Sequence, residues 1–267
     1  MPTFDLGGRT AVITGATGAI GSAVARTLVE SGAKVALIAR NRRRLERLCA
    51  RFPEEAETLV CSADVSSAYD LVEARDKVLE ELGAPDLVIT AAGVRRAANF
   101  DEAIPADWRR MLATNLRGTL QTVQTFSPDV LAAGERGDRA DIVMLSSAPA
   151  RERQHAYSVF SSLGASLGQF SKHLRAEYGL RGVRCITSIP STRAGVSLRR
   201  AIWDPIALRV TITTLFRGLC LSLKALRLTL RTSLRRLVLR RRCLRMSTWP
   251  VPRSCHWKET DSRADKV

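Results

Sequence analysis

Between residues 10 and 90 the chain alternates short apolar runs with stretches in which apolar residues return every three or four positions. Ala11-Val12-Ile13 is apolar and partly β-branched, whereas Ile20, Val24, Leu28 and Val29 share one side of a helix. Gly32 ends that helix and Val35-Ala36-Leu37-Ile38-Ala39 resumes as a strand, completing a βαβ unit of about thirty residues. The alternation continues with a helix predicted over 41–51, a strand over 58–62, a helix over 67–82 and a strand over 86–90. Beyond these it predicts helices over 108–126 and 164–178, strands over 141–145 and 183–189, and a solvated loop over 134–138. The strands are apolar almost throughout, as in parallel sheets covered by helices on both faces. The expected fold is therefore α/β: a single-domain, doubly wound parallel sheet in three α/β/α layers.

The turn after the first strand, Thr14-Gly15-Ala16-Thr17-Gly18-Ala19-Ile20-Gly21, changes this from a fold to a binding site. A backbone that must approach a pyrophosphate cannot carry side chains at the contact points, and Gly15, Gly18 and Gly21 remove them. The following helix points free N–H groups and its positive dipole end at the phosphates. Strand, glycine turn and helix in the first βαβ unit predict a Rossmann-type dinucleotide site. An acidic residue at the end of the second strand would hold the adenosine ribose hydroxyls of NAD. The chain has Ala39-Arg40-Asn41-Arg42-Arg43-Arg44 there instead. Guanidinium groups suit a 2′-phosphate, so NADP(H) is expected over NAD(H), with Arg40 in the key position. Arg42 to Arg44 fit either that phosphate or a solvated helix face.

Charge divides the chain in two. Residues 1–200 hold 27 Lys/Arg against 22 Asp/Glu, a net of +5, and residues 201–267 hold 15 against 4, a net of +11. The second segment is rich in Leu and Arg, and no acidic residue stands between Asp204 and Glu259. Two readings stay open for it: a basic element for a membrane surface or nucleic acid, and a stretch translated out of frame. Neither makes a specific nucleic-acid partner the expectation. Six cysteines without a CxxC pair or a His/Cys cluster argue against zinc and against a disulfide framework. No apolar run reaches membrane-spanning length and the amino terminus lacks a signal peptide's basic start, so the expectation is a cytoplasmic protein.

Over residues 5–195 the ordered motifs resemble the short-chain dehydrogenase/reductase superfamily. Gly15, Thr17, Gly18, Ile20 and Gly21 fall in its glycine motif, with Ala19 where the ordinary short form has glycine. Asp64-Val65 matches the pair that contacts adenine, and Ala91-Ala92-Gly93 stands where the family has Asn-Ala-Gly. The resemblance implies that Ala92 and Gly93 line the cofactor, that Asn115 anchors a proton-relay water, and that Ser147 polarises the substrate carbonyl. It also implies that Thr192, in Pro190-Ser191-Thr192, contacts the nicotinamide carboxamide, and that the family's usual glycine after the proline is absent. The implied reaction moves hydride between the cofactor and a small-molecule carbonyl or secondary alcohol, with Tyr157 exchanging the hydroxyl proton. Family members commonly oligomerise through their carboxy-terminal elements, so the unusual tail makes a homo-oligomer doubtful.

The departure lies in the catalytic YxxxK motif. Tyr157 is followed four residues on by Ser161, not by the lysine that eases ionisation of a phenol titrating near about 10. The family's usual Ser-to-Tyr spacing of about thirteen residues would lead from Ser147 to Phe160, with Gly164 in the lysine position. Neither register supplies a YxxxK. Lys172 is about 20 Å from Tyr157 along a helix, and His155 reads as a solvated loop histidine. An oxidoreductase and a cofactor-binding protein without turnover both remain open.

Overall fold

The computed structural model describes residues 5–146 and 155–188. The first strand, β1 (Thr10–Thr14), is buried at every position, and so is β4 (Leu87–Thr90). With both faces covered, such strands must lie in the middle of the sheet. They do: β1 and β4 pair in parallel, Thr14 opposite Thr90, at the centre of the order β3-β2-β1-β4-β5-β6. On one side stand β2 (Lys34–Ala39) and β3 (Thr58–Ser62), and on the other β5 (Asp141–Leu145) and β6 (Arg184–Ser188). The chain reverses direction of winding between β1 and β4, which places the switch point of a doubly wound sheet beyond their carboxyl ends.

Alternate residues of each strand feed two separate cores. One, with Ile13, Leu37 and Ile89, packs under α1 (Ala19–Glu30) and α2 (Arg42–Cys49). The other, with Val12, Val88 and Ile142, packs under α3 (Ala68–Glu81) and α5 (Gly118–Glu135), where Phe126 is fully buried. Local chemistry sets the helix starts. The Asn41 side chain accepts from the Arg44 N–H at 3.0 Å, and Ser67 Oγ accepts from the Asp70 N–H at 3.2 Å, each satisfying a first-turn donor.

Three expectations need correction. The helix predicted over 108–126 is α4 (Pro105–Met111), a π-helical segment Leu112–Arg117 and then α5. The predicted loop over 134–138 begins inside α5, because Gly134 packs against the Arg181 carbonyl and the Gly182 backbone, where a Cβ would not fit. Helix α6 (Ser158–Gly179) starts six residues before the predicted 164, directly after Tyr157, with Phe160 and Leu163 already on its apolar side. The last predicted strand is observed over Arg184–Ser188, and Ile189 lies outside the described residues.

The opposite, amino-terminal ends of the four central and right-hand strands carry an ion network. Arg9 Nη1 donates to Asp141 Oδ2 at 2.8 Å, its Nε bonds Asp86 at 3.1 Å, and Arg184 Nε donates to Asp141 Oδ1 at 2.6 Å. The Asp141 side chain is completely buried, so each of its oxygens depends on a guanidinium.

Candidate functional site

The glycine turn closes over the switch point. Gly15 has φ +68 and lies against the loop after β4, where a Cβ would come 2.5 Å from the Ala92 nitrogen. A Cβ on Gly21 would overlap the Gly15 carbonyl oxygen. The backbone therefore folds back on itself as only glycine permits. Gly18 caps α1 without a side-chain hydrogen bond, and no acidic residue occupies the first turn. That leaves the helix amides and dipole to an anion, and Gly18 itself is exposed. Thr17 and Ile20 are half-buried beside it. Below the turn, the Oγ1 atoms of Thr14 and Thr90 are buried without a hydrogen-bond partner. A narrow backbone cradle at a helix start, above two unsatisfied hydroxyls, fits the pyrophosphate of a dinucleotide.

Beyond β2 the site is basic. The Arg40 side chain is 55% exposed and lies 3.7 Å from Asp64 Oδ2, a loose pairing that leaves its guanidinium accessible. Arg44 reaches back from α2 to the turn, where Nη2 donates to the Thr17 carbonyl at 3.3 Å. Arg42 is engaged elsewhere, with Glu46 at 2.9 Å, and this fits the solvated-face reading for that residue. Asp64 is held in place: its N–H donates to Asp70 Oδ2 at 2.9 Å and its Oδ1 accepts from Ser66 Oγ at 2.7 Å. Val65 is buried against the start of α5, where Gly118 has no room for a Cβ.

Asn115 lies in the π-helical segment and is 9% exposed. Its Oδ1 accepts from the Val94 N–H and its Nδ2 donates to the Val94 carbonyl, both at 2.8 Å, so the amide clasps the loop that follows Ala92 and Gly93. Its own carbonyl accepts from Thr119 Oγ1 at 2.8 Å. A π-segment widens the helix locally, a distortion that recurs at functional sites. Tyr157 is the residue immediately before α6, with its carbonyl accepting from the Ser161 N–H at 2.8 Å. Its ring meets Phe160 edge-on at 6.1 Å, and the Arg95 guanidinium stands 5.5 Å from its centroid. Tyr157 and Phe160 both line a cavity of about 200 Å³ with Ile104, Trp108 and Met111, and of the two only Tyr157 carries a hydroxyl.

The structure thus brings Gly15, Gly18, Gly21, Ala92, Gly93 and Asn115 together at the carboxyl ends of β1 and β4, with Arg40, Asp64 and Val65 on the β2–β3 side. Ser147 and Thr192 lie outside the described residues, as does the basic segment 201–267. His155 is exposed. Among the described residues no cluster of His, Cys, Asp or Glu could hold a metal, and no helix is long and apolar enough to cross a membrane. Of the two readings the sequence left for Arg44, its contact with the Thr17 carbonyl favours the one at the cofactor turn; Arg95 over Tyr157 was missed, and nothing local signals it.

Sheet order and cradle define a doubly wound NAD(P)-binding protein. The short chain dehydrogenase pattern matches residues 9–202, and the chain belongs to that family of NAD(P)-dependent oxidoreductases. The D-threitol dehydrogenase of Mycolicibacterium smegmatis is 33% identical over 204 residues, covering 75% of this chain and 76% of that protein. The solved gluconate 5-dehydrogenase of Burkholderia cenocepacia, in complex with NADP and tartrate, is 26% identical with a TM-score of 0.66, covering 77% of this chain and 79% of the other. A 3-oxoacyl-[acyl-carrier protein] reductase of Brucella melitensis with bound NAD is also 26% identical, with a TM-score of 0.67 over 79% and 84% of the two chains.

Proposed function

We propose that this chain binds NADP(H) in preference to NAD(H) and uses it to interconvert a small-molecule carbonyl and secondary alcohol. One observation carries the cofactor reading: Arg40 and Arg44 flank the glycine turn, and no carboxylate follows β2 directly to claim the ribose hydroxyls. A 2′-phosphate placed there meets two guanidinium groups, each worth about 1.5–3 kcal/mol when the hydrogen bond is charge-assisted. The similar solved proteins carry NADP in one case and NAD in another, so the choice falls to these side chains.

Bound nicotinamide supplies or accepts hydride at the switch point. In this reading Gly15, Thr17, Gly18, Ile20 and Gly21 hold the pyrophosphate, Asp64 and Val65 hold the adenine, Ala92 and Gly93 flank the nicotinamide half, and Thr192 holds its carboxamide. Ser147 orients the substrate oxygen, and Tyr157 gives it a proton during reduction and takes one during oxidation. Asn115 fixes the Val94 loop and anchors the path by which that proton is replaced.

Titration of the full chain with NADPH and NADH, followed by nicotinamide fluorescence, tests the cofactor reading. NADPH is expected to bind at least about tenfold tighter, and Arg40→Ala with Arg44→Ala to erase the difference by weakening NADPH alone. Equal or tighter binding of NADH by the unaltered chain overturns it. A panel of carbonyl substrates then separates the enzyme from a silent cofactor binder, a reading that Ser161 in the lysine position favours. Cofactor binding without oxidation across the panel supports the silent binder.

A further inference from the structure

Helix α6 brings no cation to Tyr157. Its first-turn residue in the lysine position is Ser161, and Lys172 is exposed three turns further along. A cation arrives from another element instead. Arg95, in the loop after β4, places its guanidinium carbon 5.5 Å from the centroid of the Tyr157 ring. Its neighbour Arg96 is committed to Asp107 at 3.4 Å, whereas Arg95 has no acidic partner among the described residues.

The placement of Arg95 is secured from both sides. Asn115 holds the N–H and carbonyl of Val94, the residue before it. Three residues after it, the Ala98 N–H donates at 2.9 Å to the carbonyl of Ala156, the residue before Tyr157. Ala156 has φ +64, a conformation uncommon in a residue with a side chain, so its surroundings hold that turn. The loop carrying Arg95 is therefore tied at one end to the asparagine of the site and at the other to its tyrosine.

We infer that Arg95 is a positioning and charge-stabilising residue for Tyr157, taking over from outside helix α6 the role of the missing lysine by favouring the phenolate. This rests on Tyr157 as the proton donor. During reduction the Tyr157 O–H bond breaks, its proton goes to the substrate oxygen as hydride reaches the carbonyl carbon, and the phenolate is reprotonated from solvent. A guanidinium over an aromatic face is attracted to its electron density, and that density rises when the phenol ionises. The other charged groups around the ring do not duplicate Arg95. Asp107 is neutralised by Arg96, Glu102 lines the same cavity and accepts from Asn99 Nδ2 at 3.2 Å, and His155 is exposed two residues away.

Ultraviolet absorbance of phenolate, titrated on the full chain, reads this without requiring turnover. The chain has three tyrosines, and subtracting the titration of Tyr157→Phe isolates Tyr157 from Tyr69 and Tyr178. Arg95→Gln is expected to raise the ionisation midpoint of Tyr157 by about half a pH unit or more, and Arg95→Lys to restore most of it. The pH limb of kcat/KM should move with the midpoint, while KM for the cofactor stays put. Superimposable titrations of Tyr157 in the unaltered chain and in Arg95→Gln overturn the inference. Full turnover by Tyr157→Phe would instead overturn the proton-donor reading, which distinguishes the two failures. Because Arg95 is exposed, Arg95→Gln should keep the fold, checked by circular dichroism.

Discussion

The two ends of the central sheet treat polar groups in opposite ways. At the amino ends of β1, β4, β5 and β6, Arg9, Asp86, Asp141 and Arg184 stand in the order plus, minus, minus, plus, and bond to one another. At the carboxyl ends the glycine turn caps α1 with no side chain, Thr14 and Thr90 keep unsatisfied buried hydroxyls, and Arg95 has no acidic partner among the described residues. Charges satisfied internally fix strand positions and leave nothing for a ligand. Groups left unsatisfied at a sheet's switch point are what a dinucleotide and its substrate require. One end is built to stay closed and the other to be completed from outside.

The largest expected effect breaks the closed end. Asp141→Ala removes the buried acceptor shared by Arg9 and Arg184 and leaves Arg9, itself 3% exposed, short of one partner. The loss should be about 3–5 kcal/mol, as for one member of a buried ion pair. Denaturant unfolding measures it, and the folded fraction should bind NADPH within about twofold of the unaltered chain. A loss below about 1 kcal/mol would mean that the network is only decorative.

The converse variant acts at the open end. In Gly21→Ala the new methyl meets the Gly15 carbonyl oxygen inside van der Waals contact, and both partners are backbone. Overpacking of this kind costs about 1–3 kcal/mol and pushes the turn away from α1. The Kd for NADPH should rise by about tenfold or more, measured by the same fluorescence titration. The two variants should therefore cross: one loses stability and keeps affinity, the other loses affinity in excess of stability. An unchanged Kd in Gly21→Ala would remove the glycine turn from the cofactor site.

The open end was the more legible of the two in the sequence. Its glycines must be glycine whatever surrounds them, and the apolar runs that lead to it are buried on both faces, so each shows without knowledge of its neighbours. The closed end shows only as single charged residues next to apolar runs, and pairing Arg9 with Asp141 requires the sheet order. The same reason hides Arg95, whose partner Tyr157 lies on a distant element. The π-helical segment at Asn115 leaves the local apolar spacing almost unchanged, so the prediction joined α4 to α5. The start of α6 mixes Ser158, Ser161 and Ser162 with Val159, Phe160 and Leu163, so its stripe begins at Phe160 and the predicted start at 164 is too late. Gly134 looked like a loop residue because its close contact with Gly182 is tertiary.

The smallest effect sharpens the comparison through pH. Asp86, at the closed end, has its carboxyl pushed above the ordinary range by burial, against the pull of the Arg9 charge. Asp70, at the open end, is held below that range, chiefly by the Asp64 N–H and then by the Ser67 hydroxyl. For Asp86 the raised value means that protonation favours the folded chain, so its contribution improves as pH falls. For Asp70 the lowered value means the reverse: its contribution is complete above the ordinary carboxylate pKa of about 4 and is lost as pH falls through its own value. Acid should therefore loosen the open end while Asp86 resists. Asp70→Asn should lower Tm by about 2 °C near neutral pH, because an amide accepts on one atom where the carboxylate accepts on two. That difference should begin to shrink as pH falls below about 4, where the unfolded chain takes up the proton, and vanish once pH has passed the lower value of Asp70 in the folded chain. A Tm difference that stays constant across that range would show that Asp70 grips Asp64 by shape alone, and the two ends of the sheet would then respond to acid alike.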